Sequence, residues 1–222
     1  MKNKNLDKAK ILDLYSKYVL RNNSKPLNVF TFCDDNKITE GDFYKHYTNF
    51  EQLEADFLLY FVEESVRLIT VDENYDKYSP KDKLLAFYFT FFEQLTANRS
   101  LVIYLLGGDK NSLSNLKKLW PLRTEYQQFI SGLQLSEPMM EVDDERFEKA
   151  EKFKNKGIEE VFWGHFLATL KFWIDDTSSS FEKTDIFIEK SLDTSFELLE
   201  VKPLKKLMDL GKFLLKEKFK TN

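Results

Sequence analysis

The stretch from Ile38 to Leu53 restricts the fold of this chain most, because it holds two helix starts in quick succession. Thr39 can accept hydrogen bonds from the free N–H groups of a new helix, and Asp42, three residues on, completes a capping-box-like start. Phe43 and Tyr47 then stand in an i, i+4 relation on one buried stripe of a very short helix. Asn49 followed by Gln52 opens a longer helix through Leu53, Phe57 and Phe61. A short helix wedged between others is how a helix-turn-helix presents a reading surface.

The remaining chain supplies more helices and no convincing strand. Leu6, Ile11, Leu14, Tyr15, Tyr18 and Val19 recur at helical spacing over 6–22. Asn22-Asn23-Ser24 ends that helix, and Pro26 suits the first turn of a second one, about 27–36, burying Val29, Phe30 and Phe32 or Cys33. The helix after Asn49 continues to about residue 71. Ser79-Pro80-Lys81-Asp82 starts another, apolar almost all round behind Leu84. Asn98 opens a brief helix ending at Gly107-Gly108. A helix over 111–134 should be interrupted or kinked at Pro121, and 135–144 reads as a loop. A long helix follows over 145–174, and Ser179 with Glu182 makes a capping box for the next, about 181–199, burying Phe181, Ile186, Phe187, Leu192 and Phe196. Pro203 opens a last amphipathic helix.

Composition narrows the function classes. A single cysteine, Cys33, excludes an intrachain disulfide and fits a reducing compartment. The polar start Met1–Asn5 has no apolar signal segment behind it, so the expected location is cytoplasmic. The net charge of −4 is not that of a strongly cationic nucleic-acid binder, so local charge must decide that question. Catalysis has little to work with: two histidines, and no nucleophile motif, phosphate-cradling glycine loop or metal-ligand spacing. The expectation is no enzyme, no cofactor and no metal. His165, beside Phe162 and Phe166, reads as a hydrogen-bonded core histidine or a pocket wall. Asp175 and Asp176 read as turn formers, and Asp34 and Asp35 should raise the Cys33 thiol pKa.

Ile38, Gly41, Phe43, Tyr44, Tyr47 and Leu53 match, in order, the second helix of the turn and the start of the long helix in the TetR family, which the chain resembles. The resemblance implies an all-α, two-domain protein: a helix-turn-helix domain over 1–48, and a helical ligand-binding and dimerisation domain over 49–222. It implies a homodimer paired through 158–174 and 181–199. It also implies DNA contact through residues 27–47, at Thr39, Glu40, Asp42, Tyr44, Lys45 and His46. Tyr44 can donate to a phosphate oxygen and Lys45 can neutralise one. Glu40 and Asp42 repel phosphates, although a carboxylate can accept from a cytosine amino group. Phe50 stands where the family usually carries lysine, and the glycine usual in the turn is replaced around Lys37. The region therefore reads either as an ordinary DNA reader or as a helical domain retained for altered use.

Thr169 to Ile188, with its aromatic helix end, Asp-x-Ser turn and Phe-acidic-x-Thr restart, is similar to a segment of the TetR-like lipid-binding accessory proteins of ubiquinone biosynthesis. An aromatic-walled helical domain is a natural cavity for a small apolar or lipid-like ligand. Its candidate walls are Phe87, Phe91, Tyr104, Trp120, Phe162, His165, Phe166 and Trp173, each of which also reads as plain core. The lysines of 203–220 could lay that helix on an anionic membrane, though such a face is more often simply solvated. The functional reading is a TetR-type ligand-responsive transcriptional regulator. The alternatives are a lipid-binding accessory protein without DNA binding and, third, a purely structural interaction module.

Overall fold

Polar caps set where several of the helices begin. The computed structural model describes residues 6–107, 116–135 and 145–200, and among these every regular element is helical. Asp7 caps α1 (Lys8–Asn22) by accepting from the Lys10 amide. Asn28 and Thr31 form a reciprocal box at the start of α2 (Val29–Asn36). Thr39 accepts from the Asp42 amide and donates its hydroxyl to the Asp42 carboxylate at the start of α3 (Glu40–Tyr44). Ser79 and Asp82 repeat that pair at the start of α5 (Pro80–Ala97), where proline takes the first position. Asn49 accepts from the Gln52 amide to open α4 (Phe50–Thr70). α6 (Arg99–Leu106) ends on Gly107, whose φ of 112° is comfortable only for glycine.

Three sequence expectations need correction, and one left between two readings is decided. At Pro121 the expected helix is interrupted rather than kinked: a 3-10 turn over Leu116–Leu119 gives way to α7 (Trp120–Gly132), with the proline in its first turn. Phe30 is 62% exposed, because the buried face of α2 is Phe32 with Cys33, and Phe30 points well away from it. Ile186 is likewise 48% exposed, since α9 (Glu182–Glu200) buries Thr184, Ile188 and Leu192 instead. The capping box at Ser179 and Glu182 does not form. Asp176, at the end of α8 (Glu145–Asp175), accepts from the amides and hydroxyls of both Ser178 and Thr184. Its carboxylate thus caps the start of α9 from eight residues away. The helix expected from Pro203 and the loop over 136–144 lie outside the described residues, as does the membrane reading of 203–220.

The chain divides into two compact units, 1–68 with 90–126, and 69–89 with 127–222. In the first, Tyr15, Phe32, Phe43 and Phe50 meet mostly edge to face, with centroids 5.3 to 6.1 Å apart. These rings lock α1, α2, α3 and the start of α4 together. In the second, Leu84, Phe87 and Tyr88 of α5 share the core with Phe162, Phe166, Leu170 and Trp173 of α8 and with Ile188 and Leu192 of α9. The aromatic-rich composition has become bulky core in both.

Candidate functional site

The turn between α2 and α3 is made by Lys37, which sits at φ 57° and ψ 40°. A side chain other than glycine is held there in the left-handed region, at a cost of about 1 kcal/mol. The turn closes through the Lys37 amide, which bonds back to the carbonyls of Asp34 and Cys33. Thr39, Asp42 and Lys45 form one string across α3: Lys45 Nζ lies 2.8 Å from Asp42, whose other oxygen takes the Thr39 hydroxyl. Lys45 first and Thr39 second hold the Asp42 carboxyl below its ordinary range. Tyr44 is 53% exposed, its ring edge-on to Phe43. Glu40 is exposed, and at Gly41 an added Cβ would meet only Thr39, at an ordinary 3.7 Å.

Two further positions are tied into the fold. His46 donates from Nε2 to the Leu6 carbonyl at 2.9 Å, tying the end of α3 to the lead-in of α1. Phe50 is buried against Tyr15, Phe32 and Phe43, which explains why no lysine can stand there: the position belongs to the aromatic core. Cys33 is buried too, and burial, then Glu40 and Asp42, pushes its thiol up to about 11. Asp34 and Asp35 are not the cause.

One polar cluster in the first unit escaped the sequence reading. Glu54 is fully buried; it accepts from the Tyr15 hydroxyl and pairs with Lys118 at 2.6 Å and, more loosely, with Lys25 at 3.7 Å. Lys118 also donates to the Leu105 carbonyl at the end of α6. The signal was legible: Glu54 occupies a helical position between Phe50 and Leu58, where the apolar stripe of α4 called for a hydrophobe. A carboxylate there demands a cation.

Of the expected cavity walls, Phe87, Phe91, Phe162, Phe166 and Trp173 are fully buried side chains, Tyr104 is half-buried, and Trp120 is 64% exposed with Arg123 5.0 Å from its ring. His165 alone among them lines a cavity of about 570 Å³ between α8 and α9. The floor is Phe172 and Phe187, stacked at 4.5 Å, and the rim carries Lys183, Lys190 and Thr194.

The tautomer of His165 follows from its neighbours. Ser191 gives its hydroxyl proton to the Phe187 carbonyl, so it accepts from His165 Nε2–H at 2.8 Å. Nδ1 then accepts from the Tyr88 hydroxyl at 2.7 Å. Burial lowers the imidazole pKa to about 4, so the ring is neutral and its hydrogen bonding is saturated. It pins α5, α8 and α9 together. Among the described residues no group of three or more His, Cys, Asp or Glu side chains is placed to hold a metal, and no helix is long and apolar enough to cross a membrane.

A family model described as tetracyclin repressor-like, C-terminal domain, matches residues 83–214, well over half of the chain. No curated protein matches it.

Proposed function

The chain belongs to the tetracyclin-repressor-like family through its C-terminal domain, and from that premise we propose that it is a ligand-responsive transcriptional regulator. Residues 1–48 are the DNA-reading region, with 27–47 as its reading segment, and 49–222 hold the ligand and pair two copies. The observation that carries this reading is the α2–turn–α3 unit, with Tyr44 exposed on α3, in the same chain as the matched C-terminal domain. Ligand binding favours one spacing of the two reading heads over another and so changes operator affinity.

Pairing through 158–174 and 181–199 has its own support. Val161 is 63% exposed on α8, and Gly157 and Gly164 have nothing within 4 Å of an added Cβ. These positions recur at helical spacing, so they form a smooth apolar strip over which a second helix can come close.

A titration of genomic fragments with the pure protein at increasing salt tests the regulator reading. The expected result is specific binding at low salt whose logarithm falls linearly with the logarithm of salt concentration. No specific binding at low salt overturns it. The lipid-binding accessory reading is the second one, favoured by how the groups on and after α3 are used: Lys45 pairs with Asp42, His46 bonds to the Leu6 carbonyl and Phe50 is core. A co-purified isoprenoid or fatty acyl lipid in native mass spectrometry, together with no DNA binding, would select it.

A further inference from the structure

The groove between α8 and α9 carries a charge pattern that specifies a ligand class. Its apolar part is the Phe172–Phe187 stack, with Ile186 left half exposed beside it. Its polar groups are mostly spent. His165 is neutral and bonded at both nitrogens, and the hydroxyls of Ser191, Thr194 and Ser195 donate to carbonyls of their own helix. Lys183 and Lys190 remain. Both line the groove, neither has a carboxylate partner among the described residues, and no acidic side chain lines it. Glu182, Asp185 and Glu189 stand beside the two lysines in sequence but do not line the groove, and farther along the same helices Asp193 pairs with Lys81 and Asp175 with Lys171.

Two cations above an aromatic floor complement a molecule with an apolar body and one anionic end. The volume lies within the roughly 300–1,000 Å³ usual for small-molecule sites. We propose that the α8–α9 groove binds a single-chain aliphatic carboxylate, its tail on Phe172 and Phe187 and its head at Lys183 and Lys190. This deepens the ligand-binding reading of the C-terminal domain and rests on it for the regulatory consequence.

The test is calorimetric titration of the full chain with decanoate, dodecanoate and neutral decanol, all below their aggregation concentrations. Dodecanoate should bind more than tenfold tighter than decanoate, since each buried methylene contributes about fourfold. The double variant Lys183→Glu with Lys190→Glu should weaken both carboxylates by about tenfold and leave decanol unchanged. Thr194→Trp, at an exposed helical position, should fill the groove and abolish binding of all three while circular dichroism stays that of the native chain. Carboxylate affinity unchanged in the lysine double variant, carboxylate binding that survives Thr194→Trp, or no carboxylate binding by the native chain overturns the proposal. If no carboxylate binds and Thr194→Trp converts a dimer to a monomer in sedimentation, the groove is a pairing surface only. The DNA titration is independent: a chain that binds dodecanoate through the two lysines but binds no DNA keeps this site and loses the regulator reading.

Discussion

A neutral imidazole held between Tyr88 and Ser191 makes the stability of this chain depend on pH in a definite direction. The His165 pKa is about 4 when folded, against 6.5 as its ordinary value. The unfolded chain therefore binds the proton first, and stability is fully present above pH 6.5 and is lost as pH falls towards 4. The slope is at most about 1.4 kcal/mol per pH unit, and His165→Gln should flatten it in denaturant titrations between pH 7 and 4. An unchanged slope would show that His165 is not buried neutral. Asp176 acts lower down. Burial works to raise its pKa, but the bonds from Ser178 and Thr184 outweigh it and bring the carboxyl down to about 2. Its contribution is present above its ordinary 3.8 and lost as pH falls through 2. Asp176→Ala should cost about 2 kcal/mol at neutral pH, whereas Ser179→Ala, at the position the local sequence pattern singles out, should cost almost nothing. Equal losses from the two would restore the capping box that the geometry denies.

Among the elements, α3 is where sequence and structure agree on form. Its cap, its buried Phe43 and its exposed Tyr44 are local consequences of residue type and spacing, and all three were legible. That Lys45 is spent on Asp42 was less so, because the i, i+3 pair forms only once the helix phase is fixed. Phe50 and Glu54 show the opposite limit. Both lie on the α4 stripe, but whether a position meets rings from α1, α2 and α3 or a lysine more than 60 residues away is a tertiary fact that no window of sequence contains. The α8–α9 groove was missed for the same reason, since Phe187 reads as core in its helix alone and its stack on Phe172 joins two helices. The pairing of Lys45 yields a prediction for α3. Asp42→Asn removes a charge that repels phosphate and frees the lysine that Asp42 holds. It should strengthen DNA binding several-fold and steepen the salt dependence by about one unit of log–log slope. The helix keeps a cap, because Thr39 still accepts from the backbone amide of residue 42. Gel-shift titrations at several salt concentrations measure both quantities; weaker binding by the asparagine variant would mean that the carboxylate itself reads a base.

At the scale of the whole molecule, the proposed pairing turns on the strip of α8 that the single chain leaves open. A closed twofold interface presents the same patch twice, so any bulk added near its axis meets its own copy. Gly164 has empty space in front of its Cα, so within one copy a larger residue meets no obstacle. Alanine there should raise the stability of a single copy by about 0.5–1 kcal/mol, because glycine is the poorer helix former. Gly164→Arg fits that copy as well, but in a paired molecule it places two guanidinium groups against each other on an apolar face. The expected outcome is a chain with native circular dichroism that sediments as a monomer. If DNA is read by two heads at once, the same variant also loses affinity for a two-half-site operator while its affinity for a single half-site stays unchanged. A Gly164→Arg protein that still sediments as a dimer would move the pairing surface away from α8. One that is monomeric yet binds the full operator undiminished would show that the two heads act separately.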